Sequence, residues 1–226
     1  DAGATATYSI VGGADAAKFT IDASTGALSF ISAPDYELPT DVGGNNVYDV
    51  TVQVSDGSLI DTQDIAVTVT NANEAPVITS NGSGTTAAVN VAENSTSVTT
   101  VTSTDVDAGA TAAYSIVGGA DSAKFTIDAS TGALSFVSAP DYESPTDAGG
   151  NNVYDVKVQV SDGILTDTQD IAVTVTNVNE APVITSNDGG TTAAVNVAEN
   201  STSVTTVTST DVDAGATATY SIVGGA

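Results

Sequence analysis

The chain has 226 residues, 28 acidic against 3 basic, a formal charge of -25, and no His, Cys, Met or Trp. The missing His and Cys exclude a Ser-His-Asp triad, a thiolate nucleophile, a haem ligand and an ordinary zinc site. With no Arg and only Lys18, Lys124 and Lys157, the chain lacks the cations that neutralise phosphates, so nucleic acid and anionic membrane surfaces are excluded as partners. No run of about 18 apolar residues is present, so no membrane insertion is expected. What the composition does offer is oxygen, from carboxylates, Asn side chains, hydroxyls and backbone carbonyls, the ligand set of a hard cation such as calcium.

The acidity does not imply disorder. Charged residues make up only 14 % and hydrophobic residues 41 %, chiefly Val, Ile and Ala with abundant Thr, which is strand composition. In chain order, short alternating runs surround Val89 and Val91, Val98 to Thr104, Tyr114 and Ile116, Phe125 and Ile127, and Leu134 and Phe136. Longer ones follow at Tyr154 to Val160 and Ile171 to Val175. In each, apolar residues take one face and polar residues the other. Gly, Asn and Asp punctuate them at Val117-Gly118-Gly119, Asp128 to Gly132, Asp147 to Asn152 and Ser161-Asp162-Gly163. About seven short strands with no helical period predict an all-β, seven-stranded Greek-key sandwich of immunoglobulin-like type. Tyr114, Phe125, Phe136, Tyr142 and Tyr154 are its expected large core residues.

The same elements recur. The run Asp1 to Ala14 returns at Asp107 to Ala120 and again at Asp213 to Ala226, a period of 106 residues. Laying 1–120 on 107–226 leaves 12 of 120 pairs different, so the copies are recent duplicates in a tandem array. The junctions are expected at Asn71 to Pro76 and Asn177 to Pro182, where a strand ends in a Pro that cannot donate to a ladder. This reading divides the chain into a partial repeat at 1–76 lacking its first strands, a complete repeat at 77–182, and the N-terminal part of a third at 183–226. The third piece leaves open whether 1–76 is completed within one polypeptide or by another copy, giving a polymer by strand donation.

Some acids, such as Asp155 and Asp170, alternate with core residues and read as solubilising charge. Asp128 reads as a turn residue, and Asp147 to Asn152 as a flexible connection. Others gather at strand ends and junctions: Glu93 in Ala92-Glu93-Asn94, Asp105 and Asp107 in Asp-Val-Asp-Ala-Gly, Asp141 and Glu143 in Asp-Tyr-Glu, and Asp162 in Ser-Asp-Gly. Asp141 and Glu143 could suggest a glycosidase pair, but no aromatic sugar platform accompanies them, and no catalytic residue is assigned.

The order of these motifs resembles the cadherin repeat. An acid ends the first strand, Asp-x-Asp-x-Gly precedes a Tyr-Ser-Ile strand, a Phe-x-Ile-Asp-x-x-Thr-Gly-x-Leu hairpin runs from Phe125 to Leu134, then come Asp-Tyr-Glu, Ser-Asp-Gly and an Asn-rich linker ending Ala-Pro-Val. The tandem copies and acidity look most like the cadherin-like arrays of giant secreted bacterial adhesins of RTX type. The resemblance implies calcium between successive repeats, two or three ions per junction. The second junction would use Glu93, Asp141, Glu143, Asn177, Asn179, Glu180, Asp211 and Asp213. The first would use Asp35, Glu37, Asn71, Asn73, Glu74, Asp105, Asp107 and Asp162, with Glu199 the third copy of the strand-end acid. The linker Asn177-Val178-Asn179-Glu180-Ala181-Pro182 is one residue shorter and less acidic than the family's Asp-x-Asn-Asp-Asn-x-Pro. The function implied is that of calcium-rigidified extender repeats, partnered by calcium, by neighbouring repeats and by other copies of the chain, at a bacterial outer surface. Repeats that are themselves adhesive, homophilically or toward glycans, are the alternative.

Overall fold

The computed structural model describes residues 5–224, which divide into two compact units. Residues 5–75 with Asp105–Ala110 form unit 1, and Pro76–Thr104 with 111–224 form unit 2. Unit 1 contains β1 (Thr7–Gly12), β2 (Phe19–Ile21), β3 (Leu28–Phe30), β4 (Val47–Ser55) and β5 (Ile60–Thr68). β1, β4 and β5 form an antiparallel sheet in that order, and β2 pairs with β3 as a hairpin.

Unit 2 repeats this plan and adds to it. Its strands are β6 (Val77–Ile78), β7 (Thr86–Ala92), β8 (Ser97–Thr100), β9 (Ser103–Thr104), β10 (Ala113–Gly118), β11 (Phe125–Ile127), β12 (Ala133–Phe136), β13 (Val153–Ser161), β14 (Thr166–Thr176), β15 (Val183–Ile184) and β16 (Ser209–Thr210). One sheet runs β10-β13-β14-β7 and the other β11-β12-β8. β7 lies parallel to β14, whereas the other pairs in these sheets are antiparallel. The short pairs β6-β9 and β15-β16 are 106 residues apart and have the same register. Among the described residues there is no α-helix, only three-residue turns of 3₁₀ type, as the sequence predicts for an all-β sandwich.

The period of two does the packing. Along β13, Tyr154, Val156, Val158 and Val160 turn inward and are buried. They meet Ile171, Val173 and Val175 of β14 and Val91 of β7 from the same sheet, and Phe125, Leu134 and Phe136 from the facing one. Phe125 and Phe136 stack at 4.6 Å, and Tyr154 meets both edge-on at 6.5 and 5.2 Å, geometry that suits aromatic quadrupoles. The Tyr154 hydroxyl accepts the Thr146 N–H at 3.1 Å. Tyr142, expected in this core, is 37 % exposed. It sits between two acids of the Asp-Tyr-Glu turn, and its backbone N–H and carbonyl are held by Glu93 and Asn152.

Two structural acids hold the long connection before β13. Asp121 is 5 % exposed, and its two carboxylate oxygens accept the N–H groups of Ala148 and Asp155 at 2.7 and 2.9 Å. Asp147, also buried, accepts Asn151 N–H and Asn152 N–H at 3.0 Å each. The Asp147 to Asn152 segment is therefore pinned at both ends, not the flexible connection its Gly and Asn content predicts. Asp15 and Asp41 repeat both arrangements in unit 1. Gly119 makes the first possible. Its φ is +101°, and a Cβ there would lie 2.4 Å from the Asp155 carbonyl oxygen, so only glycine lets the chain turn Asp121 inward.

Replacing Asp121 by Asn keeps the shape but leaves one of the two part-buried N–H groups facing an amide NH₂. Each unsatisfied buried donor costs about 1–3 kcal/mol. Asp121→Asn should lower the stability of unit 2 by that amount, read as a drop in urea midpoint at unchanged slope.

Candidate metal centre

In unit 2 the strand-end acid comes first. Glu93 follows β7 and is 3 % exposed. Its Oε2 accepts Tyr142 N–H at 2.7 Å and its Oε1 accepts Val178 N–H at 2.8 Å, so one buried carboxylate joins the β7 end, the Asp-Tyr-Glu turn and the segment after β14. Each carboxylate oxygen keeps a further lone pair. Glu93, Asp141 and Glu143 bring one oxygen each to within 4.8 Å of the others. Glu143, Glu180 and Asp213 form a second such group, so Glu143 belongs to both.

Backbone and amide groups hold the acids in place. Asp213 Oδ2 accepts Glu180 N–H at 2.8 Å, and Asp211 Oδ1 accepts Asp213 N–H at 3.0 Å. Asn177 Nδ2 donates to Glu143 Oε1 at 2.9 Å, and Asn179 Nδ2 to the Glu180 carbonyl at 2.9 Å. Asp141 Oδ1 takes Ser144 N–H at 3.0 Å. Asn94, absent from the sequence-based set, donates from Nδ2 to Glu180 Oε1 at 3.1 Å. Its place directly after Glu93 was the available signal.

Unit 1 holds a group of the same kind, Glu37, Glu74 and Asp107, again with oxygens within 4.8 Å. Asn71 Nδ2 donates to Asp107 Oδ1 at 2.7 Å, Glu74 N–H to Asp107 Oδ2 at 2.9 Å, and Asp107 N–H to Asp105 Oδ1 at 2.9 Å. Asn73 Nδ2 donates to the Glu74 carbonyl at 3.1 Å, and Asp35 Oδ1 accepts Glu37 N–H at 2.9 Å. Asp162 and Glu199 stand outside these groups among the described residues. Asp162 Oδ1 closes the β13-β14 turn through Ile164 and Leu165 N–H at 2.6 and 2.7 Å. Glu199 is exposed.

The crowding shows in the protonation equilibria. Partial withdrawal from water raises the Glu180 pKa first, and the charges of Glu93, Asp213 and Glu143 add to it. Glu143 is raised by the same withdrawal and by Glu93, Asp213 and Asp141. Glu74 remains exposed as a residue, yet local desolvation followed by Glu37, Asp107, Asp35 and Asp105 raises it too. Lysines do not relieve the crowd, for among the described residues the ion pair joins Lys157 to Asp170 on the sheet surface at 3.1 Å.

These residues fit a hard cation. Two oxygens bound to one calcium at roughly 2.3–2.6 Å can be at most about 5 Å apart, and each group meets that limit. Among the buried side-chain oxygens with no hydrogen-bond partner, two belong to carboxylates, Asp105 Oδ2 and Glu180 Oε2. A buried acceptor without a donor is costly, and a cation would satisfy it.

The chain is thus a β-sandwich that carries clusters of carboxylates at its strand ends. Residues 87–179 match the cadherin domain, so the chain contains a cadherin domain. A stretch of 167 residues, 72 % of the chain, is 35 % identical to protocadherin Fat 1 of Homo sapiens. Protocadherin-23 of Homo sapiens is 29 % identical over 224 residues, 96 % of the chain. The chain spans 3 % and 6 % of the length of these two relatives. In fold, it is similar to the crystal structure of human CDH23 EC21-23, with a TM-score of 0.55 at 19 % identity, over 94 % of this chain and 70 % of that one.

The sign of the pH dependence follows from the raised carboxylates. A folded-state pKa above the unfolded value means that ionisation opposes folding, so the cost is present at neutral pH and is relieved as pH falls through the raised pKa. The turn acids do the reverse. Asp128 is held below its usual value by Thr131 and Ser130, and Asp56 by Leu59 and Ser58 N–H. Their contribution is present above the unfolded pKa and lost as pH falls through the lowered one. In EGTA, the Tm should therefore rise as pH drops from 7 toward the raised carboxylate range and fall again in stronger acid. Glu180→Gln should flatten the rising limb.

Proposed function

We propose that this chain consists of calcium-binding extender repeats of a long extracellular adhesin or surface filament, in which the ion stiffens the junction after each repeat. The observation that carries this reading is Glu143, shared between one acid group belonging to the sandwich and another containing Glu180 of the linker and Asp213 of the following repeat. Cadherin domains are typically extracellular modules that bind calcium at such junctions and serve adhesion or structure. The proposed ligands in unit 2 are Glu93, Asp141, Glu143, Glu180, Asp211 and Asp213, supported by Asn177 and Asn179. In unit 1 they are Asp35, Glu37, Glu74, Asp105 and Asp107, supported by Asn71 and Asn73. Two or three ions at each junction would use these oxygens.

The physics gives the ion a mechanical role. Without it, like charges at the junction repel and the linker opens. With it, carboxylates from both sides become ligands of one charge cluster, and the linker is fixed at its length. Extracellular modules bind calcium at roughly 10⁻⁴–10⁻³ M. Occupancy at about 10–100 times that constant adds roughly 1–3 kcal/mol per site through mass action. A near-identical repeat is well suited to setting length and poorly suited to recognising a particular ligand, which favours a spacer over a recognition surface. At a bacterial outer surface, such an array would hold a terminal binding domain away from the cell.

Millimolar calcium should raise the Tm and lengthen the maximum dimension seen by small-angle scattering, relative to EGTA. Unchanged values in both would overturn the reading. Glu143→Gln should weaken calcium binding to unit 2 by at least about tenfold, because both groups lose one ligand, whereas Asp128→Asn should leave the calorimetric titration unchanged.

A further inference from the structure

In unit 2, β7 ends in a corner of two residues that reaches both acid groups. Glu93 N–H donates to the Thr176 carbonyl at 3.0 Å, and Asn94 N–H donates to the Pro140 carbonyl at 2.9 Å. The Glu93 carboxylate takes the N–H groups of Tyr142 and Val178 and belongs to the group with Asp141 and Glu143. Asn94 reaches the other group. Its Nδ2 donates to Glu180 Oε1 at 3.1 Å, and Glu180 lies with Glu143 and Asp213. The Asn94 φ is +62°, left-handed backbone that Asn and Gly adopt with little strain.

We propose that Asn94 is the positioning residue for Glu180, anchoring one carboxylate oxygen so that the other is presented to the cation. The proposal rests on the calcium reading of these groups. Asn94 does not ligate the ion itself; it acts through the glutamate it holds.

The two oxygens of Glu180 have different surroundings. Oε1 is taken by the Asn94 amide, whereas Oε2 is buried with no hydrogen-bond partner. A freely rotating glutamate gives up its side-chain torsions when it becomes a ligand, and that ordering costs entropy at the moment of binding. Here much of the ordering is done beforehand. Nδ2 of Asn94 holds one end of the residue, and Asp213 Oδ2 holds its backbone N–H at 2.8 Å. The bond also sets the positive end of an amide dipole beside a crowded carboxylate. Withdrawal from water and the charges of Glu93, Asp213 and Glu143 raise the Glu180 pKa, and the Asn94 bond pulls it back. The amide thereby keeps this carboxylate beside its neighbours when no ion is bound.

The anchor also limits what Glu180 can offer. Calcium accepts a carboxylate through one oxygen or through both, and binding through both would require Oε1 to leave the Asn94 amide. With the bond kept, Glu180 is a one-oxygen ligand. The same device recurs at the carboxylate that the two groups share, since Asn177 Nδ2 donates to Glu143 Oε1 at 2.9 Å. Asn177 lies in the segment after β14, whereas Asn94 lies at the end of β7, so Asn94 ties Glu180 of the linker back to the rigid sandwich.

A double-mutant cycle on the full chain tests the role, with Glu37→Gln and Glu74→Gln present throughout to silence the unit 1 group. Asn94→Gly keeps the left-handed backbone and removes only the amide. Calorimetric titration with calcium should show binding weakened about tenfold by Asn94→Gly, because the ion must then order Glu180 itself. In a Glu180→Gln background the same substitution should change the affinity by less than about twofold, since two residues acting as one unit are not additive. A merely structural Asn94 would lower the Tm in EGTA and weaken binding equally in both backgrounds, which would overturn the proposal. Unchanged or tighter binding in Asn94→Gly would overturn it as well, the latter because the amide would then be competing with the ion. Should Asn94→Gly fail to fold, NMR of the Asn94 side-chain amide in the otherwise unsubstituted chain decides. Its protons should stay hydrogen-bonded when calcium is added, and their release would overturn the proposal. The two readings fail differently. No calcium binding before Asn94 is changed removes the calcium reading and this one with it, whereas binding that Asn94→Gly leaves untouched removes the positioning role alone.

Discussion

Like-charge repulsion governs this protein. With 28 carboxylates and three lysines, the fold cannot neutralise its acids with its own cations, and it handles them in two other ways. One set is given backbone N–H groups. Asp22, Asp56 and Asp128 each close a turn, with donors that hold their pKa values down, and Asp121 and Asp147 accept backbone N–H groups from inside the sandwich. The other set is left in mutual contact. Glu74, Glu143 and Glu180 sit among other carboxylates with their pKa values pushed up, an arrangement that folding alone does not favour and that the proposed divalent cation would reverse.

The division has a mechanical meaning. Acids paired with N–H groups stabilise local turns at neutral pH with no bound ion, so each unit keeps its shape. Acids paired with each other concentrate the molecule's dependence on solution conditions at a few places along the chain. In the proposed calcium role, stiffness would be set by the medium while the repeat itself stays constant. A core built chiefly from Val and Ile, with one aromatic cluster of Phe125, Phe136 and Tyr154, supplies modest burial, so increments of a kilocalorie or two at the acid groups matter to the whole.

The near-identity of the copies has its own consequence. Sequence-identical strands cannot tell which sheet they belong to, because register and face are set by a pattern that every repeat shares. The parallel edge of β14 is closed in unit 2 by β7, and the same two sequences recur in β5 and at 192–198.

Much of this was legible in the residues. The 106-residue period, the alternation along β13 and β14, and the Gly and Asn turns determined an all-β sandwich, because a period of two has only one way to bury a face. The strand-end acids were legible because carboxylates beside Gly and Pro at fixed offsets recur with the repeat. Tertiary structure alone decided the rest. Tyr142 looked like core and is exposed, and the Asp147 to Asn152 segment looked flexible and is pinned by buried Asp121 and Asp147. Glu143 joins two acid groups, while Asp162 closes the β13-β14 turn and lies outside both. Such outcomes depend on which backbone N–H a carboxylate reaches across 34 or 85 residues of sequence, and no local pattern encodes a contact at that range.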